Sequence, residues 1–240
     1  MPKSTVEQIR TRFDADVEWF SDLDTGQTAT VDAALSLALV AEAAAAVTPH
    51  ACDLLDVGCG AGNYSLKLLE ALPGLRVTLL DLSLPMLERA KTRVGPATTG
   101  QVRACQGDIG EVTLAPESLD IVTAAAVFHH LRGEEEWRAV FTKLHRALRP
   151  GGSLWIVDLV VHDSPAVQAT MWRHYGEYLV SLKGAAYRDE VFAYIEQEDT
   201  PCSLNFQVDL LREVGFIAVE ILHKNVCMAA FGGLKSPHER

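Results

Sequence analysis

Leu54-Leu55-Asp56-Val57-Gly58-Cys59-Gly60-Ala61-Gly62-Asn63 decides the fold of this chain. Its first four residues, apolar except for Asp56, read as a buried strand, and the three glycines after them turn that strand into a helix. Glycine serves where backbone must take a positive φ or come close to a ligand without a Cβ in the way. The helix that follows opens its free N–H groups toward whatever the loop holds, so the segment reads as a nucleotide-binding turn. Dinucleotide folds show G-x-G-x-x-G, in which the third glycine packs helix on strand. Here the glycines stand at 58, 60 and 62 and Asn63 follows, which departs from the spacing of an NAD-dependent oxidoreductase.

Further markers follow in order. Leu75 to Asp81 is an apolar, β-branched run that ends in an acid, and a carboxylate at the end of the second strand can accept hydrogen bonds from both ribose hydroxyls. The same Asp before a Ser-started helix also suits a loop or a cap. Val102 to Ile109 is a third strand ending in Gly107-Asp108, which alone is ordinary turn chemistry. Leu119 to Ala126 is a fourth, with small residues at its end that leave room for a ligand, and it runs into Val127-Phe128-His129-His130-Leu131. Arg146 to Asp158 holds a helix end, a Leu-x-Pro-Gly-Gly turn and a fifth strand.

Together these markers resemble the class I S-adenosylmethionine (SAM)-dependent methyltransferases, firmly over roughly residues 50 to 160 and more loosely beyond. The resemblance implies an α/β, Rossmann-like fold: a mostly parallel seven-stranded sheet with an antiparallel last strand and helices on both faces. It implies SAM as cofactor and S-adenosylhomocysteine (SAH) as product. The cofactor residues it points to are Asp56, Gly58, Cys59, Gly60, Gly62 and Asn63 in the loop, Asp81, then Leu82 and Met86 flanking the adenine, Asp108 accepting from the adenine amino group, Ile109, and Ala124 and Ala125 at the fourth strand's end. One domain is expected, with a helical cap over 1–50, a SAM-binding core over 51–160, a helical lid over 161–202, and a last helix and strand pair over 203–240. Ser203 caps that helix, Gly215 stops it, and Phe216 to Leu222 and Val226 to Phe231 read as strands joined near Lys224-Asn225.

Composition fits one large domain. The chain has 240 residues, 48% of them hydrophobic, enough for a sizeable core. Ala33 to Val47 is too short and wrongly flanked for a membrane span and reads as a core-facing helix. The five cysteines are odd in number and mostly within apolar runs, and Met1-Pro2-Lys3-Ser4 carries no apolar signal core, so a reducing cytoplasm is expected. A net charge of -11 speaks against a standing nucleic-acid complex, whose affinity rests on lysine and arginine. A small-molecule acceptor is expected, no membrane and no metal, with a homodimer open because lids of this kind sometimes mature at a dimer contact.

Specificity is expected outside the core. Phe13, Val17 and Phe20 recur at helical spacing, reading as a helix packed on the sheet, with Phe20 a candidate substrate contact. Trp172, Tyr175, Tyr178, Tyr187 and Arg188 concentrate aromatic and charged groups in the lid, although Trp172, Tyr175 and Leu179 also fit a plain core stripe. His129 and Asp158 are the candidate bases, since a hydroxyl or protonated amine acceptor has a proton to lose. The chain as a whole also loosely resembles the carboxy-SAM synthase of wobble-uridine modification, in which Arg188 would hold the new carboxylate. SAM binding without turnover, as in a regulator or a tRNA-modification-related partner, is a further alternative.

Overall fold

The computed structural model describes residues 3–15, 17–21 and 27–237, without the side chains of residues 19 and 20. The role expected for Phe20 therefore lies outside the described residues. Seven strands form one sheet in the order β3-β2-β1-β4-β5-β7-β6: β1 (Asp53–Val57), β2 (Arg76–Asp81), β3 (Val102–Gln106), β4 (Leu119–Ala125), β5 (Leu148–Leu159), β6 (Phe216–Asn225) and β7 (Met228–Lys235). All pairings from β3 to β5 are parallel, while β7 runs antiparallel to both β5 and β6. The order reverses at β1, which has β2 on one side and β4 on the other, and this leaves a crevice beyond the strand ends there.

The central strands are apolar almost without interruption because helices cover both faces. Alternate residues of β1 point to opposite sides. Leu54 packs with Leu37, Val40 and Ala44 of α3 (Ala33–Val47), Leu68 of α4 (Asn63–Ala71) and Leu87 and Val94 of α5 (Leu84–Val94). Leu55 and Val57 face Phe128 and the layer of Trp137, Phe141 and Leu144 from α6 (Gly133–Ala147) and Leu211 from α9 (Leu204–Glu213). The start of α5 is fixed by Ser83, whose Oγ accepts from the Met86 N–H, and α9 is capped by Ser203 onto the Phe206 N–H. Three glutamates open α6 and His145 and Arg146 close it, which suits the helix dipole.

Several boundaries differ from the expected ones. The Pro150-Gly151-Gly152 turn lies inside β5, whose pairing slips from Leu119↔Leu148 to Ile121↔Ser153. Gly152 is needed at that slip, since a Cβ there would sit 2.8 Å from the Asp120 carbonyl oxygen. The final strands turn at Val226-Cys227, beyond Lys224-Asn225, because Asn225 still pairs with Met228, which in turn pairs with Leu159 of β5. Cys52 and Cys105 are exposed, Cys105 on β3, which ends the sheet and has a neighbouring strand on one side only. In place of one helix packed on the sheet, the N-terminal segment forms α1 (Val6–Ala15) and α2 (Val17–Ser21), which lie beside α5, with Ile9 of α1 facing a cavity. The 161–202 region is an antiparallel pair, α7 (Pro165–Lys183) and α8 (Ala185–Glu198), joined at Gly184 with φ 87°.

Candidate functional site

The glycine loop is held by packing as well as by conformation. Gly58 takes φ 59°, and a Cβ on it would lie 2.2 Å from Val127 Cγ2, so the loop and the segment after β4 fit only without a side chain. Gly62 takes φ 84° and sits against α5, 2.8 Å separating its would-be Cβ from Val94 Cγ2. The Gly60 N–H donates to Asp81 Oδ2 at 2.8 Å, and the Ser83 N–H donates to Asp81 Oδ1 at 2.9 Å. The acid at the end of β2 thereby pins the loop of β1. Below it, Asp56 is 1% exposed and accepts from Thr123 Oγ1 at 2.9 Å and Ser65 Oγ at 2.6 Å. Burial, only partly offset by the Ser65 and Thr123 hydrogen bonds, raises its pKa to about 6. Burial also pushes the Cys59 thiol up, so Cys59 is a packed thiol and no nucleophile.

A cavity of about 910 Å³ opens at the crevice. It is lined at one end by Asp56, Gly58, Cys59, Gly60, Asn63, Asp81, Leu82, Met86, Asp108, Ile109 and Ala125, and at the other by His129, Asp158, Tyr175 and Tyr187. Five expected residues are elsewhere. Gly62 is turned into the α4–α5 contact, and Ala124 is buried in the layer beneath the sheet. Trp172 stacks on Phe192 at 4.8 Å between α7 and α8, and Tyr178 donates to the Thr28 carbonyl at 2.8 Å. Arg188 pairs with its neighbour Asp189 at 2.7 Å and lies along Gly176, so it is not placed to hold a carboxylate in the cavity. Tyr175 is anchored by its hydroxyl to the Ala29 carbonyl at 2.9 Å, whereas the Tyr187 hydroxyl is buried with no hydrogen bond among the described residues.

The segment after β4 carries the polar end of the cavity. Ala126 is a non-glycine residue at φ 56°, tied by its N–H to the Val157 carbonyl at 2.8 Å. This turn swings Phe128–His130, a single 3₁₀ turn, over the cavity, the sort of strained backbone that clusters at functional sites. His129 Nδ1 meets Asp158 Oδ1 in a short hydrogen bond, and the His129 N–H donates to Asp158 Oδ2 at 3.1 Å. Its Nε2 faces Asp199 Oδ1 at 3.7 Å. Burial opposes charge on His129, but the Asp158 and Asp199 carboxylates outweigh it and hold the pKa up at about 9. Burial and the nearby His129 push His130 the other way.

Asp199, His130, Arg132, Glu136 and Arg12 also line the cavity, and the sequence reading missed them. The His129-His130 pair was a local signal for His130. Asp199 carries none, because the Thr200 N–H on the His129 carbonyl (2.7 Å) and the Arg132 guanidinium on Thr200 Oγ1 (2.8 Å) bring it in from the far end of α8.

The donor set suits SAM. Asp81 at the strand end is placed for a ribose, Leu82, Met86 and Ile109 give apolar walls for a base, and Gly60 leaves open space where any other residue would carry a Cβ. Residues 54–152 match the methyltransferase domain family. The match runs from β1 through the Pro-Gly-Gly turn in β5, so the sequence markers and the sheet order agree with a methyltransferase domain of Rossmann-like fold over that part of the chain. Among individual relatives it is 33% identical over 119 residues to an uncharacterized methyltransferase of Mycobacterium tuberculosis, covering 50% of this chain and 55% of that one. It is 26% identical over 173 residues to the demethylmenaquinone methyltransferase of Lactococcus lactis, covering 70% and 67%. The chain thus spans about half the length of the first curated relatives it matches. In structure it is similar to the Burkholderia thailandensis 1,6-didemethyltoxoflavin-N1-methyltransferase, solved with its substrate and SAH (TM-score 0.65, 15% identity, 98% and 92% covered). It is also similar to the [4+2]-cyclase SpnF (TM-score 0.67, 14% identity, 100% and 99% covered). No helix among the described residues is long and apolar enough to cross a membrane.

Proposed function

We propose that the chain transfers the methyl group of SAM to a small, largely apolar acceptor held between His129 and the α7–α8 pair. The observation that carries this reading is that one cavity joins the Gly60–Asp81 end to the His129–Asp158 end. SAM supplies a methyl group already activated on a sulfonium, so the protein has to position the acceptor, exclude water and handle a proton. Asp81, Leu82, Met86, Asp108 and Ile109 hold the nucleoside end. Phe13, Tyr187, Val191, Ile195 and Met228 wall the acceptor end, which favours a flat or apolar molecule with one polar group. His129 is the proton-handling group, taking the acceptor's proton through its neutral form, a form that grows as pH rises toward about 9, and Asp158 fixes its ring so that Nε2 faces the cavity. Asp158 is thus a positioning residue in this scheme, with both carboxylate oxygens already committed to the His129 ring and backbone.

The test has two stages. Mass spectrometry of the small molecules released on denaturing the freshly purified chain should find SAM or SAH. Carboxy-SAM there would instead redirect the assignment to the synthase-like reading. With methyl-labelled SAM and the low-molecular-mass fraction of a cell extract, His129→Ala should lower label transfer by about 10²–10⁴-fold while SAH affinity is kept. Transfer equal to wild type would remove His129 from the mechanism.

A further inference from the structure

We propose that His129 Nε2, His130 and Asp199 Oδ1 form a binding site for a divalent transition ion of the zinc class on the acceptor wall of the cavity. One donor atom from each residue lies within 4.8 Å of the other two. Asp199 Oδ1 is 3.2 Å from His130 Nδ1 and 3.7 Å from His129 Nε2. Two ligands bound at zinc distances with tetrahedral angles stand about 3.4 Å apart, between those two values. Those two pairs therefore already stand near the spacing an ion requires.

A second, independent observation points the same way. Asp199 is 4% exposed, its Oδ1 is buried without a hydrogen bond among the described residues, and so are both ring nitrogens of His130. His130 Nδ1 comes close to Asp199 Oδ1 but without hydrogen-bond geometry. Buried polar atoms are normally paired, so Asp199 Oδ1 and the His130 nitrogen beside it call for a partner. His129 is prepared in the way metal-bound histidines are: its Nδ1 is locked by a carboxylate, Asp158, which fixes the ring and leaves Nε2 to face the third residue. Asp158 and Asp199 together balance the charge of a dication. Arg12, Arg132 and Lys3 are the nearby cations: Arg12 pairs with Glu198 at 3.1 Å and donates to the Tyr194 hydroxyl, Arg132 is engaged on Thr200 Oγ1 and the Glu198 carbonyl, and Lys3 on the Asp199 carbonyl.

Two imidazoles and one carboxylate leave at least one position open, and all three residues line the cavity. An oxygen of the acceptor bound there would lose its proton to solvent more readily. With the ion in place, Nε2 of His129 is occupied and the ring holds the ion in place of the acceptor's proton. This role deepens the methyl-transfer reading and rests on it. The ion's binding does not.

The full-length chain, stripped with chelator and dialysed, is titrated with Co(II) and then Zn(II), followed by calorimetry and by the visible bands of low-symmetry Co(II). One equivalent per chain is expected, with Zn(II) displacing the colour. His130→Gln and Asp199→Asn should each weaken binding at least 100-fold, and Asp158→Asn about 10–100-fold as an outer partner does. SAH titration of the same samples reports that each variant is folded. Absence of a saturable Co(II) signal in a chain that binds SAH, or Co(II) binding that the three substitutions leave unchanged, overturns the metal site and leaves methyl transfer standing. Co(II) binding in a chain that binds neither SAM nor SAH supports the metal site and overturns the proposed function instead.

Discussion

Replacing Asp56 by Asn should change how stability responds to pH. Asp56 is buried beneath the glycine loop, with its oxygens taken by Ser65 and Thr123. Its folded pKa is raised from 3.8 to about 6 by burial. The sign follows from linkage: a carboxyl whose folded pKa lies above its unfolded one favours the folded state only while protonated, so its contribution is full below about pH 4 and is lost as pH rises through about 6. At about 1.4 kcal/mol for each tenfold, the gap amounts to roughly 3 kcal/mol, of which roughly 2 falls between pH 4.5 and 7.5. Whatever Asn costs in hydrogen-bond geometry is the same at both pH values and cancels. Urea melts of wild type and Asp56→Asn at pH 4.5 and 7.5, either side of the isoelectric point near 5.1, should show the variant gaining roughly 2 kcal/mol relative to wild type at the higher pH. In thermal melts this is roughly 4–8 °C for a chain of this size. A difference that does not move with pH would mean that Asp56 ionises as freely in the folded protein as in water, and the account of the loop's floor would fail.

Two other outcomes follow from the same loop. Gly62→Ala should destabilise the chain by about 2 kcal/mol or more, because Ala is strained at φ 84° and its Cβ overlaps Val94. SAH affinity of the folded fraction should stay near wild type, and a large loss of affinity without a loss of stability would return Gly62 to the cofactor site. Asp81→Ala should weaken SAH by about 100-fold in calorimetry, two carboxylate hydrogen bonds at about 1.5 kcal/mol each. A change under about fivefold would show that the ribose lies elsewhere.

Local signals were strong where a single segment does a single job. The strand–glycine–helix turn, Ser83 and Ser203 as caps, Gly215 as a helix stop and the acid ending β2 all act through neighbours a few residues away, so periodicity and residue type suffice to place them. The lid was legible as a helical segment with one apolar stripe, but not as two helices and not in its orientation. Trp172 and Tyr187 look alike in sequence, yet one fills the α7–α8 contact and the other faces the cavity. Arg188 looked like an anion clamp and turned out to be an ion-pair partner of its own neighbour. Which face a helix buries depends on the helix opposite, and that contact is not written in either helix alone.

By itself, then, the sequence determined the parallel sheet, its switch point and most of the residues that line the glycine-loop end of the cavity, because these follow from backbone requirements and from strands buried on both faces. Only the tertiary structure decided the polar wall. His129 and His130 arrive from the end of β4 through the turn at Ala126, Asp158 from β5, and Asp199 from the end of α8, held by hydrogen bonds between segments far apart in the chain. Long-range contacts of that kind are made when the layers pack, and no spacing along the chain encodes them.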